Sequence, residues 1–137
     1  MILPLTKTLT LLTFILVLPT SDLDTYSTIS RSYCTEIGKF NMLFDEDEVS
    51  GSYSLTVKNS LGAVWGKLEG NKMTGRWFDA DGGGEIIITF NEDFSWFTTK
   101  YRNDEKPETW YTDQWHGALR TGDESTFQKD GKTYRCE

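Results

Sequence analysis

From residue 39 onward, apolar and polar residues alternate in short runs, and each run stops at a cluster of Gly, Asn or Asp. The runs lie at 39–43, 52–58, 63–69, 72–78, 85–90, 94–102, 115–119 and 132–136. Alternation with a period of two, broken by turn residues about every ten positions, predicts β-strands joined by hairpins. In 52–58, Tyr53, Leu55 and Val57 fall on one face and Ser52, Ser54, Thr56 and Lys58 on the other, the pattern of a strand buried on one side. In 72–78, Met73, Gly75 and Trp77 alternate with Thr74, Arg76 and Phe78, and the pattern leaves open which set points inward.

The breaks supply turn chemistry. The segments 45–48, 59–62, 70–71, 79–84 and 91–93 each carry Gly, Asn or Asp, which tolerate the backbone angles of a tight reversal. Gly70-Asn71 is the shortest, a two-residue loop between strands. Successive strands on short turns make an antiparallel up-and-down meander, and about eight of them can close into a barrel, which removes the exposed edges of an open sheet. Gly66 and Gly75, inside strands, suit the coiling and close backbone approach that closure demands. The fold class is therefore all-β, with a flat open sheet as the alternative.

Ahead of the strands, Lys7 precedes a charge-free run at 8–21 with an apolar centre at 9–18, the outline of a signal peptide. The run is short for a membrane span, which needs about 20 apolar residues. The expected organisation is a signal peptide at 1–21, an N-terminal segment at 22–37 and one barrel domain at 38–137, with no membrane span once the leader is cleaved. Export places the protein in a secreted or extracytoplasmic compartment. There the only two cysteines, Cys34 and Cys136, are expected to form a disulfide. Formal charge is −7 for the whole chain, and loss of Lys7 with the leader leaves 13 basic against 21 acidic residues. Such a surface repels nucleic acid and anionic membranes.

Several stretches resemble a known family. The stretches GSY at 51–53, GKLEGNKMTGRW at 66–77, the glycine-rich turn after it and WHG at 115–117 are similar to the small secreted calycin-type, lipocalin-like barrels. The likeness covers residues 38–120 and reports turns and tryptophans, so it implies a fold and no catalytic group. A weaker resemblance to avidin and streptavidin rests on the Gly-x-Tyr strand start, the Thr-Gly-Arg-aromatic strand and YRNDEKPETW at 101–110. Tyr53 and Trp110 match that family's pattern, and Phe97 replaces a tryptophan of its binding wall. Leu55, Lys106 and Glu108 stand where it uses small hydroxyl residues to hold biotin. This second likeness thus implies a barrel and speaks against biotin.

Chemistry is sparse. The 79–85 stretch, DADGGGE, has acidic residues on a glycine loop, yet an EF-type calcium loop would need ligands at Gly83 and Phe90, so a solvated hairpin tip is expected. The acidic run at 45–48 reads as a charged turn. The single histidine, His116, has no evident triad partner and reads as a packed or surface residue rather than a general base. No metal site, cofactor or catalytic residue is expected. A carboxylate-dependent hydrolase would have to draw on Glu69, Glu85 or Glu108. The surplus of aromatic residues favours a binding role instead: Tyr53, Trp77, Phe97, Trp110 and Trp115 are the candidate lining of a barrel mouth. They would capture a small apolar or amphipathic molecule there without catalysis. A filled barrel acting as a structural or protein-interaction module, with a protein partner, is the alternative.

Overall fold

Strand-forming alternation dominates the chain, and the computed structural model, which describes residues 27–55, 58–122 and 124–136, contains only β-strands as regular elements. The expected signal peptide lies outside the described residues. Ten strands follow in order: β1 (Ile29–Thr35), β2 (Lys39–Asp45), β3 (Glu48–Leu55), β4 (Ser60–Glu69), β5 (Lys72–Asp79), β6 (Gly82–Phe90), β7 (Trp96–Tyr101), β8 (Tyr111–Leu119), β9 (Thr126–Lys129) and β10 (Lys132–Arg135). Each of β1 to β7 pairs antiparallel with the next, and β8 returns to β1, so the meander closes as an eight-stranded barrel. β9 and β10 form a separate hairpin.

The barrel has the expected number of strands but not the expected set. β1 falls in the segment assigned outside the barrel, because its inward positions, Arg31, Tyr33 and Thr35, are not an apolar row. Arg31 is nevertheless at home inside, its guanidinium lying 4.7 Å from the Phe44 ring centre and 4.9 Å from that of Phe94. The run at 132–136 pairs with 126–129 rather than with the barrel. β8 begins at Tyr111, four residues before the predicted run, because a bulge interrupts its alternation: Thr98 pairs with His116, but Lys100 pairs with Thr112.

In β5 the inward set is Met73, Gly75 and Trp77, while Phe78 is exposed. Gly75 faces Gly66 across the β4–β5 ladder. A Cβ on Gly75 would stand 2.0 Å from the Trp65 carbonyl oxygen, and one on Gly66 2.4 Å from that of Thr74. No side chain fits at that separation, so the two glycines let the wall coil tightly enough to close.

Aromatic rings fill one end of the barrel. Phe90 and Phe94 lie 4.8 Å apart with Phe44 edge-on to both, and Tyr33 donates a 2.8 Å hydrogen bond to the Phe94 carbonyl. Above this plug Tyr33, Phe40 and Phe97 pack with Met42, Met73, Ile86 and Ile88, all of them buried.

The β9–β10 hairpin lies on the outside of the wall, where Phe127 and Tyr134 pack with Trp96 of β7, Ala118 of β8 and the bridge between Cys34 and Cys136. That bridge joins Cα atoms 5.1 Å apart and closes a loop of 102 residues. By chain entropy such a closure contributes up to about 4–5 kcal/mol. Replacing both cysteines with serine should lower the melting temperature by several degrees. It should also abolish amide-exchange protection in β9–β10 first, with the β3–β6 amides still protected, as hydrogen exchange under native conditions would show.

Candidate functional site

The end opposite the aromatic plug is open, and it is framed by the turns β1–β2, β3–β4, β5–β6 and β7–β8. Each turn is held locally. Thr35 Oγ1 donates to the Gly38 carbonyl (2.6 Å) and accepts from the Ile37 and Gly38 amides, which presents Glu36 and Ile37 at the rim. Asp79 Oδ1 accepts from the Asp81 amide (2.8 Å), closing the β5–β6 turn. In the β8 bulge Asp113 takes a positive φ of 56°, and the Trp115 carbonyl accepts from Thr99 Oγ1 (2.8 Å). Bulges re-aim side chains; here Trp115 turns into the barrel and His116 out of it.

Within the mouth is a cavity of about 410 Å³, inside the range of about 300–1,000 Å³ typical of small-molecule sites. Its apolar lining is Tyr53, Trp77, Tyr101 and Trp115 with Ile37 and Leu55. Its charged lining is Glu36, Asp79, Asp81 and Lys58. Trp77 is fixed by an Nε1–H donation to the Arg102 carbonyl (3.0 Å) and stands edge-on to Tyr101 (5.7 Å). That approach of Arg102 is possible because residue 84 is glycine, where a Cβ would stand 1.8 Å from the same carbonyl oxygen. Phe40 forms the floor, stacked on Tyr53 and Trp115 at 5.5 Å from each.

Of the five residues expected at the mouth, Tyr53, Trp77 and Trp115 line the cavity together. Phe97 lies beneath it, fully buried and edge-on to Trp115 (6.2 Å). Trp110 belongs to the loop after β7, where its ring faces Lys100 Nζ at 4.7 Å and Arg102 Cζ at 4.6 Å; it is not part of the lining. Lys106 and Glu108 are exposed on the same loop. Sequence reasoning missed Glu36, Asp79 and Tyr101. Two had a signal, since Asp79 follows Trp77 by two positions and Tyr101 continues the inward row of Phe97 and Thr99. Glu36 had none, lying in a segment placed outside the barrel. Glu69, Glu85 and Glu108 are not brought together: Glu69 ends β4 away from the mouth, Glu85 pairs with Arg102 on the outer wall (2.8 Å), and Glu108 is in the exposed loop.

Of the two placements expected for His116, packed or surface, the structure has the buried one, and it has charged company. Its Nδ1 lies 2.8 Å from both Glu36 Oε1 and Lys129 Nζ, its Nε2 meets Asp113 Oδ1, and Trp96 stacks on the ring at 5.8 Å. The Glu36 carboxylate also accepts from the His116 amide (2.6 Å). Glu36 therefore touches the cavity on one side and the β9–β10 hairpin, through Lys129, on the other.

Three titrating groups at the mouth are shifted by burial and by neighbouring carboxylates. The Tyr53 phenol is pushed far above its ordinary value by burial and then by its 2.7 Å donation to Asp79 Oδ2. Burial raises Tyr101, with Tyr111 and Asp79 adding to the shift. Lys58 is raised by its bond to Asp81 and further by Asp79.

Compared with protein-family models, with curated proteins and with solved structures, the chain matches none. The closed antiparallel barrel is the architecture a calycin-like fold has; neither lipocalin nor avidin membership has further support.

Tyrosine ionisation provides a check on the packing. Burial also raises Tyr33, to about 12. Each raised phenol favours the folded state while neutral, so its contribution is intact below the unfolded value near 10 and is lost as pH climbs through the folded value. Stability should therefore fall between pH 10 and about 12. A spectrophotometric titration should show three of the six tyrosines ionising late, together with unfolding.

Proposed function

We propose that the protein is a secreted binding protein that takes a small molecule with an apolar body into the open mouth of its barrel and performs no chemistry on it. The observation that carries this is the aromatic cavity above a filled core: the barrel is plugged at one end and short of side chains at the other. A concave, mostly apolar space with a few placed polar groups is the general form of a ligand site. Export fits the disulfide, which belongs to an oxidising compartment, and the apolar N-terminal run.

Native mass spectrometry of the protein from its own secretion should show a discrete non-protein adduct. With that ligand in hand, Trp77→Ala should weaken binding tenfold or more, since burying an aromatic face contributes about 1.5–3 kcal/mol. Trp110→Ala should change affinity less than twofold. The opposite ranking in a calorimetric titration would move the site to the outer loop.

A second reading, a protein-interaction module, has its own observation. Leu61, Trp65 and Phe78 are exposed by 75, 50 and 61% on the outer wall of β4 and β5. Phe78 pairs across the ladder with Ala63, diagonal to both of the others, so they form one apolar patch. In that case Trp65→Lys should abolish an association that sedimentation equilibrium detects in the wild type, and leave the mouth ligand bound.

A further inference from the structure

We propose that the ligand of the mouth is an organic cation, an ammonium group on an apolar body, with the ammonium held at Asp79 between the faces of Tyr53, Trp77 and Tyr101. This rests on the reading of the mouth as a ligand site and adds the charge of what enters it.

Aromatic faces are negative and attract cations, most strongly where water is excluded. Four aromatic rings line this cavity, and a carboxylate stands among them, two residues along the same strand face from Trp77. Among the described residues Asp79 is bonded only to neutral donors: its Oδ2 accepts from the Tyr53 hydroxyl (2.7 Å) and its Oδ1 from the Asp81 amide (2.8 Å). The ammonium nearest to hand, Lys58, bonds to Asp81 instead and is more than half exposed. Glu36 adds a second carboxylate at the rim, partly answered from behind by Lys129 at 3.7 Å. Three carboxylates thus face one lysine in the lining.

Two of the polar tips beside the carboxylate are already committed, Trp77 Nε1 to the Arg102 carbonyl and Tyr53 Oη to Asp79. What those two residues offer a ligand is their ring surface. Burial is the larger cause of the raised Tyr53 and Tyr101 phenols and Asp79 adds to both, while Asp81 and Asp79 raise the Lys58 ammonium; the carboxylate share of these shifts is what also favours a cationic guest.

The test uses three probes of similar shape, phenethyltrimethylammonium, phenethyl alcohol and 3-phenylpropionate, titrated into the full mature protein and read by tryptophan fluorescence and calorimetry. The ammonium should bind at least tenfold more tightly than the alcohol, and the carboxylate more weakly than either. Asp79→Asn, which keeps an oxygen to accept from Tyr53, should remove the preference and leave the alcohol's affinity within about twofold. Lys58→Met, a change at an exposed side chain, should raise the ammonium's affinity severalfold, and it carries the test if the Asp79 variant fails to fold. If the alcohol or the carboxylate binds as tightly as the ammonium, and Trp77→Ala weakens it, the mouth is a ligand site and the cation proposal is overturned. If none of the three binds, the site reading falls and the proposal with it.

Discussion

Closure of the sheet rests on a short seam. β1 and β8 share three paired positions, Tyr33 with Leu119, Cys34 with Ala118 and Thr35 with Gly117, where β3 and β4 share eight. Were that seam open, two edges would be exposed and the inward faces of eight strands would have no interior to share. The surrounding structure concentrates support there. Arg120 donates its amide to the Ser32 carbonyl (2.8 Å), Glu36 of the following turn accepts the His116 amide, and Cys34, in the seam itself, is bonded to the hairpin lying over the outside. The bridge thus reinforces the shortest of the barrel's ladders.

The same closed wall explains why a cavity forms at one end only. Toward the turns at 45–48, 69–72 and 90–96 the inward residues are Phe44, Phe90 and the overlapping Phe94, with the Arg31 guanidinium laid across them. Toward the other end the inward rows finish in Leu55, Asp79 and Tyr101, and the two rings that reach farthest in, Tyr53 and Trp115, are tied down on Phe40. Carboxylates do not crowd together as rings do, and rows that end in polar residues leave the last layer unfilled. Packing and charge meet there: the cavity that the core fails to fill has Glu36, Asp79 and Asp81 in its lining.

Much of this was legible in the sequence, for reasons that can be assigned residue by residue. Strands β2 to β7 alternate cleanly because one face meets the core, and their hairpins carry residues suited to reversal, including Gly70 and Asn59 at positive φ. Tyr53, Trp77 and Trp115 were recoverable as lining because aromatic residues at inward positions near strand ends have few places to go. β1 was hidden because Arg31 and Thr35 occupy core positions, Arg31 over the rings of Phe44 and Phe94 and Thr35 bonded within its own turn, so that no apolar row marks the strand. Trp110 was misplaced because its partners are not apolar: Lys100 of β7 and Arg102 just beyond it lie over its ring outside the barrel. For His116 the local pattern left packed and surface placements open, and Glu36 and Lys129, 80 and 13 residues away, were invisible as partners.

The plug of Phe44, Phe90 and Phe94 makes the barrel a cup rather than a tube. On the proposed binding reading, a guest would leave by the opening through which it arrived, and a second molecule would not displace it from behind. Any guest longer than the cup is deep would leave its far end in water, where that end is indifferent to the wall. Selection would then act on the inserted portion alone, and one such vessel could hold a series of molecules that share a head and differ in their tails.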